Sequence, residues 1–283
     1  MTKTKKFDCS RSTVFMKLRK DIQEENTDMQ TIAGPRKAQM ISDDWIAPTY
    51  HESMPVALNP TILEENRCVC MFPDAPEINF FKIIRTQIQK ALLANGWNTV
   101  MITSPNPHEG KTLTSINLAL TFTKTFNQTI LLVDCDLQQQ SIHQYLGIPG
   151  KMGLIDHLYE DRALKDIIVW PGIDKMTLIS GGQTVRDSAE ILSSPKMKSL
   201  VAEMKTRYSD RIILFDAPPV LSKADVIAFA PNVDCIIMVV EEGKTSMEDV
   251  KKAVALLPPE KFLGFILNKK KSAMKEMIGN PYQ

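Results

Sequence analysis

Long apolar runs are missing from this 283-residue chain. None approaches the ~20 residues that a membrane-spanning helix needs. The longest clear case, Ile236-Ile237-Met238-Val239-Val240, has the length of a buried strand. The N-terminus has neither an apolar core segment nor a small-residue cleavage site, so no secretory signal is expected. The expected location is the cytoplasm; any place at the inner membrane would come through a partner. Cysteine is scarce too. The five residues at 9, 68, 70, 135 and 235 make no disulfide framework. Cys68 and Cys70 stand closer together than paired zinc ligands usually do, and read as packing thiols. Net charge is nearly absent, +1 from 34 Lys and Arg against 33 Asp and Glu. No global field therefore favours nucleic acid, and none is expected as a partner. Locally the charge is uneven: Lys3, Lys5, Lys6, Arg11, Lys17, Arg19 and Lys20 face Asp8 alone. Such an arm suits anionic lipid or an acidic partner, and equally a solvated tail.

What is present is pattern. Residues 1–75 lack sustained period-2 or period-3.6 spacing and read as a flexible N-terminal leader with a few short ordered pieces, including a helical turn or two within 58–67. From residue 76 the chain becomes regular. Phe80, Phe81, Ile84, Ile88 and Leu92 fit an amphipathic helix over 77–93. Apolar strands are predicted at 98–103, 129–134, 176–180, 211–216, 234–240 and 262–268, and helices at 110–126, 194–208 and 245–257. Strands apolar throughout and alternating with helices predict a doubly wound α/β domain over 76–270, its mainly parallel sheet covered by helices on both faces. Residues 271–283 form a short C-terminal tail. In such sheets ligands bind beyond the carboxyl ends of the strands.

Three such ends carry chemistry. The first joins strand 98–103 to helix 110–126 through Pro105-Asn106-Pro107-His108-Glu109-Gly110-Lys111-Thr112. Gly110 lets the backbone approach a phosphate at a helix N-terminus, where the dipole favours anions. Lys111 suits the β- and γ-phosphates of a nucleotide and the Thr112 hydroxyl suits magnesium, so ATP and Mg2+ are the expected cofactors. Pro107, His108, Glu109 and Leu113 complete the expected nucleotide-contacting run. Pro105 stands where the strict GxxxxGK[ST] pattern has its leading glycine. The second end is Asp134-Cys135-Asp136. Two carboxylates one residue apart can hold magnesium-bound water and accept a proton; an acidic turn capping the next helix is the other reading. The third is Asp216-Ala217-Pro218-Pro219, where an Asp ending an apolar strand suits magnesium through water. Asn268 ends the last strand with a donor and an acceptor that match an adenine edge, or simply a turn.

In this order and spacing the motifs resemble the bacterial tyrosine kinases of capsule and exopolysaccharide synthesis, the cytoplasmic BY-kinase domains related to the MinD and ParA ATPases. The resemblance runs from about residue 58 to 268, through 178–182, 190–194, Ala224-Asp225 and the closing Leu267-Asn268. It implies a P-loop enzyme that uses ATP and magnesium to phosphorylate tyrosines of its own tail. It also implies a membrane-embedded chain-length or co-polymerase partner whose cytoplasmic tail activates the kinase. Carried over, Lys111 and Thr112 hold phosphates and metal, Asp134 activates the acceptor hydroxyl, and Asp136 and Asp216 support magnesium. MinD and ParA carry a signature lysine where Asn106 stands here, and the kinases generally lack it. The chain departs from the family at Gln138, where an Arg is usual. It departs again in the oligomerisation signature ExxRxxR, which maps to Asn79, Lys82 and Arg85 with only the last position intact; an amide cannot make the salt bridge of a Glu. Homo-oligomerisation is therefore left open. After Tyr208 only Tyr282 remains as an autophosphorylation candidate. The alternative is a MinD/ParA-like ATPase switch, not a kinase, docking on the membrane polysaccharide protein.

Overall fold

The computed structural model describes residues 15–18, 54–150 and 152–270. Its strands are β1 (Phe15–Leu18), β2 (Met54–Pro55), β3 (Thr99–Thr103), β4 (Thr129–Asp134), β5 (Ile168–Trp170), β6 (Met176–Ile179), β7 (Arg211–Asp216), β8 (Cys235–Glu241) and β9 (Phe262–Asn268). Its helices are α1 (Pro60–Glu65), α2 (Ile78–Asn95), α3 (Lys111–Phe122), α4 (Ile142–Leu146), α5 (Leu154–Glu160), α6 (Leu164–Ile167), α7 (Ser188–Ser193), α8 (Pro195–Arg207), α9 (Asp225–Phe229) and α10 (Met247–Ala255). Six strands run parallel in the order β9-β8-β3-β7-β4-β6. At one edge β5 pairs antiparallel with β6 and β2 joins β5. At the other edge β1 pairs antiparallel with β9. The expected doubly wound α/β sheet is present, with short additions at its edges.

Every residue of β3, β4 and β7 is buried, which is why these strands read as unbroken apolar runs. Period two then divides them. Val100, Ile102, Ile130, Leu132, Ile212 and Leu214 pack toward α2 and α3. Met101, Leu131, Val133, Ile213 and Phe215 pack toward α5, α7, α8 and α9. Asp134 follows Leu132 and Asp216 follows Leu214 by two, so the alternation carries both carboxylates to the α3 side.

On α2, Ile78, Phe81, Ile84, Ile88 and Leu92 form the buried stripe. The helix stops at Gly96, whose left-handed backbone (φ 65°) lets its N–H reach the Leu92 carbonyl. Helix α3 is buried almost all round, between the sheet and α2; Ile116, Leu118, Leu120 and Phe122 each contribute about 1.5–3 kcal/mol. It ends four residues before the expected 126. The Thr121 and Thr123 hydroxyls bond back to the Asn117 and Leu120 carbonyls, and Asn127 (φ 55°) turns the chain toward β4.

Packing against the core already begins before residue 76, within the stretch expected as leader. Leu63, Cys68 and Cys70 are buried in the core beneath α2 and α3. The Asn117 side chain accepts from the Cys70 amide at 3.0 Å and donates to the Arg67 carbonyl at 3.1 Å. Order in this stretch comes from backbone bonds to one buried amide, so no hydrophobic periodicity announces it. The remainder of the leader, with Cys9 and most of the basic arm, and the tail 271–283 lie outside the described residues. Among the described residues no helix is long and apolar enough to cross a membrane.

Candidate phosphate-binding and metal site

The loop 104–110 leaves the central strand β3 and enters α3 at Gly110, which caps the helix with φ 94°. A Cβ there would lie 2.1 Å from Asn268 Nδ2, so both the torsion and the space require glycine. Neighbouring strands shape the loop. Val220 and Leu221 amides donate to the Ser104 and Pro105 carbonyls at 2.9 and 3.1 Å. Asn268 Nδ2 donates to the Glu109 carbonyl at 2.9 Å, and Lys269 Nζ to the His108 carbonyl at 2.6 Å. With these carbonyls held by the protein, the free N–H groups at the start of α3 form the anion-binding end of the loop. Gly110→Ala should destabilise the protein by at least about 1–2 kcal/mol through the left-handed torsion alone. It should also abolish Mg-ADP binding; denaturant unfolding and nucleotide titration measure the two effects.

Beneath the loop the three carboxylates meet. Asp134 and Asp216 are register partners on adjacent parallel strands, side by side at the carboxyl edge. Asp216 accepts from Thr112 Oγ1 at 2.7 Å and from Ser115 Oγ at 3.0 Å. Lys111 Nζ lies 3.1 Å from Asp136 Oδ2 and 3.9 Å from Asp216 Oδ2. Burial works to lower the Lys111 pKa, but Asp216 and Asp136 outweigh it and hold the ammonium above its ordinary range. Burial pushes Asp216 up, against the pull of Lys111 and the two hydroxyls. It pushes Asp134 up to about 7, with the adjacent Asp216 charge adding to the effect.

Of the two readings of the Asp134-Cys135-Asp136 segment, the turn that caps the next helix is seen in the hydrogen bonds. Asp134 accepts from the Ser141 and Ile142 amides at 3.1 and 3.2 Å, closing the start of α4, and from the Asp136 amide at 3.1 Å. It lies under the site, whereas Asp136 reaches the wall of the cleft. Cys135 faces the opposite core, as the alternation requires.

The cleft encloses about 710 Å³. Pro107, His108, Gly110, Lys111, Thr112, Leu113, Asp136 and Asn268 line it, together with Asn66, Arg67, Gln139, Gln140, Ser141, Gln144, Tyr145, Pro219 and Lys269. Two expected contacts differ in detail. The Glu109 side chain turns away from the cleft, is 1% exposed, and accepts from Thr245 Oγ1 at 2.6 Å and the Asn106 amide at 3.1 Å. The Asn268 amide is engaged on both sides by main chain, at Glu109 and Lys269. Sequence reasoning missed Ser115, Lys223 and the wall from Asn66, Arg67, Gln144 and Tyr145. Ser115 alone carried a signal, one helical turn after Lys111. Gln138 points out of the site, bonded to Ser188 Oγ and the Arg186 carbonyl. Asn79 and Lys82 are exposed, while Arg85 reaches inward to the Thr121 carbonyl. Tyr282 lies outside the described residues.

A family model described as an AAA domain matches residues 102–258. The chain is similar to the putative tyrosine-protein kinase EpsB of Ralstonia nicotianae, 32% identical over 65% of this chain and 24% of that protein. It is similar to the tyrosine-protein kinase YwqD of Bacillus subtilis, 32% identical over 70% of this chain and 84% of YwqD. Among solved structures, the kinase domain of VpsO matches with a TM-score of 0.60 and 32% identity, covering 67% of this chain and 94% of the other. The chain thus spans about a quarter of the EpsB proteins' length and most of YwqD.

Proposed function

The chain belongs to the bacterial tyrosine-protein kinases, and we propose that its cleft transfers the γ-phosphoryl group of ATP to tyrosine hydroxyls, Tyr282 of its own tail among them. One observation carries this reading: at the N-terminus of α3, the Thr112 hydroxyl is bonded to Asp216 with Lys111 beside them. A hydroxyl next to a buried carboxylate is the oxygen donor set that hard cations take, so the residues fit magnesium. Magnesium supplies neutralisation of the charge on the β- and γ-phosphate oxygens.

Lys111 would contact those phosphates, and Thr112, Asp216, Asp136 and Asp134 form the metal side. Asp134 is the proposed proton acceptor, since a carboxylate held near neutrality matches a base working at cellular pH. The bond from the γ-phosphorus to the ADP oxygen breaks, a bond to the tyrosine oxygen forms, and the tyrosine proton passes to Asp134. Asn268 and Lys269 close the nucleotide end of the cleft.

Family membership supports an exopolysaccharide or capsule setting, where the enzyme would regulate polymerisation and export. The proposed partner is a membrane-embedded chain-length or co-polymerase protein, and the proposed location is the cytoplasmic face of the inner membrane. The test incubates the protein with magnesium and γ-labelled ATP, compares Lys111→Ala, and maps phosphotyrosine. The expected result is label that Lys111→Ala lacks and that Tyr282→Phe largely removes. Nucleotide bound or hydrolysed without phosphotyrosine, even with the membrane partner's cytoplasmic tail added, would leave the switch as the better reading.

A further inference from the structure

The carboxylate of Asp136 is shared by two lysines. Lys111 Nζ takes Oδ2 at 3.1 Å, and Lys223 Nζ takes Oδ1 at 2.9 Å. Lys223 is not a surface lysine that happens to lean inward. Its side chain is 15% exposed, and Asp136 is 3% exposed. The loop that carries it is fixed against the phosphate loop by the Val220 and Leu221 amides and closed by the Ser222 amide on the Pro219 carbonyl. Gln138, on the same turn as Asp136, is bonded to Ser188. The Gln139 amide reaches Asp136 Oδ1 at 3.2 Å without bringing a charge, so the second cation on this carboxylate is Lys223.

The arrangement has a consequence for Lys111. A triphosphate entering the cleft must draw Lys111 away from its carboxylates. If Asp136 had Lys111 alone, that separation would leave a buried carboxylate with no cation of the protein beside it, which is costly. With Lys223 on the other oxygen, Asp136 keeps a charge-assisted partner throughout.

We propose that Lys223 is a positioning residue that holds Asp136 neutralised and in place, so that Lys111 is released to the phosphates of an incoming nucleotide. The proposal rests on the reading of the cleft as a nucleotide site, and it is independent of whether tyrosine is the acceptor.

A double-mutant cycle on the full chain, read by Mg-ADP affinity, tests it. Lys223→Met should weaken Mg-ADP binding about tenfold, the effect of one charge-assisted hydrogen bond. Lys223→Gln, which keeps a donor and loses the charge, should weaken it similarly, and Lys223→Arg should restore it. In an Asp136→Asn background, Lys223→Met should change affinity less than about twofold, because the charge it balances is gone. Equal weakening in both backgrounds would overturn the proposal, since Lys223 would then act on the nucleotide or through the fold. So would unchanged affinity in the otherwise native chain. A protein that binds Mg-ADP and whose variants obey the cycle, but that forms no phosphotyrosine even with the membrane partner's cytoplasmic tail added, would sink the kinase reading alone.

Discussion

Asp216→Asn should remove nearly all phosphotyrosine formation while raising the melting midpoint of the nucleotide-free protein. Asp216 is fully buried, and burial already works against its charged form. Its partners tolerate an amide. Thr112 and Ser115 bond it through hydroxyls, and a hydroxyl rotates to accept as readily as to donate. Lys111 loses a contact at 3.9 Å and keeps the nearer one at Asp136. Three carboxylates crowd Lys111 and Lys223, so removing one desolvated charge relieves the repulsion between Asp216 and Asp134 while Lys111 stays paired with Asp136. The chemistry fares differently, because an amide oxygen is a weak metal ligand and carries no charge against the phosphates. A loss of at least about 10²-fold in phosphotyrosine rate is expected, as for removal of one preorganised electrostatic group. Thermal unfolding and single-turnover labelling read the two effects. A lower midpoint, or labelling within a few-fold of wild type, would contradict the assignment of Asp216.

Acidification should stabilise the nucleotide-free protein between about pH 8 and pH 5.5, and Asp134→Asn should flatten most of that rise. The folded-state pKa of Asp134 is raised from 3.8 to about 7. In that interval the folded chain binds a proton that the unfolded chain does not, so stability increases as pH falls. It is fully present below the unfolded value and lost as pH climbs through the folded one. By pH 5.5 about half of the three-unit rise is realised, roughly 2 kcal/mol; the full rise, roughly 4 kcal/mol, is reached only below the unfolded value. Glu109 and Asp216, both raised chiefly by burial, add in the same direction. His143 opposes them, because burial lowers its pKa and disfavours its protonation in the fold. Asp234 is half-buried, which works upward, yet hydrogen bonds from Lys205, the Asn98 amide and Thr99 carry it below the ordinary range. Its contribution is lost only at more acidic pH. Comparing the slopes of wild type and Asp134→Asn reads Asp134 together with its effect on Asp216, apart from Glu109, His143 and Asp234. Parallel curves would mean that its carboxylate is ionised in both states.

The six strands of the parallel core were legible because strands buried on both faces have no polar positions to blur them. The loop residues 105–112 and the acids 134, 136 and 216 were legible because each sits at the carboxyl end of such a strand. The rest was hidden for physical reasons. Strands β1, β2 and β5 hold four residues or fewer, too short for a period, and owe their conformation to a neighbouring edge. Helices α4, α6 and α9 have five residues or fewer and are held by tertiary packing. The segment around Cys68 and Cys70 is ordered by Asn117, nearly fifty residues away, and nothing local encodes that. Lys223 looks like any loop lysine until the fold brings Asp136 to it. Asp134 shows the opposite limit, since a strand-end carboxylate was identified but its three amide partners follow from the turn into α4.

The clamp on the phosphate loop also sets an order of events at the ribosome. Asn268 and Lys269 grip carbonyls of residues 159 and 161 positions earlier in the chain. At bacterial-like synthesis speeds that interval takes roughly 8–30 s, during which Gly110 and Lys111 are already out but their mould is not. β9 must be translated, clear the exit tunnel and pair with β8 before these two contacts on the loop can form. A nascent chain therefore completes the loop's mould only once the last described strand is made.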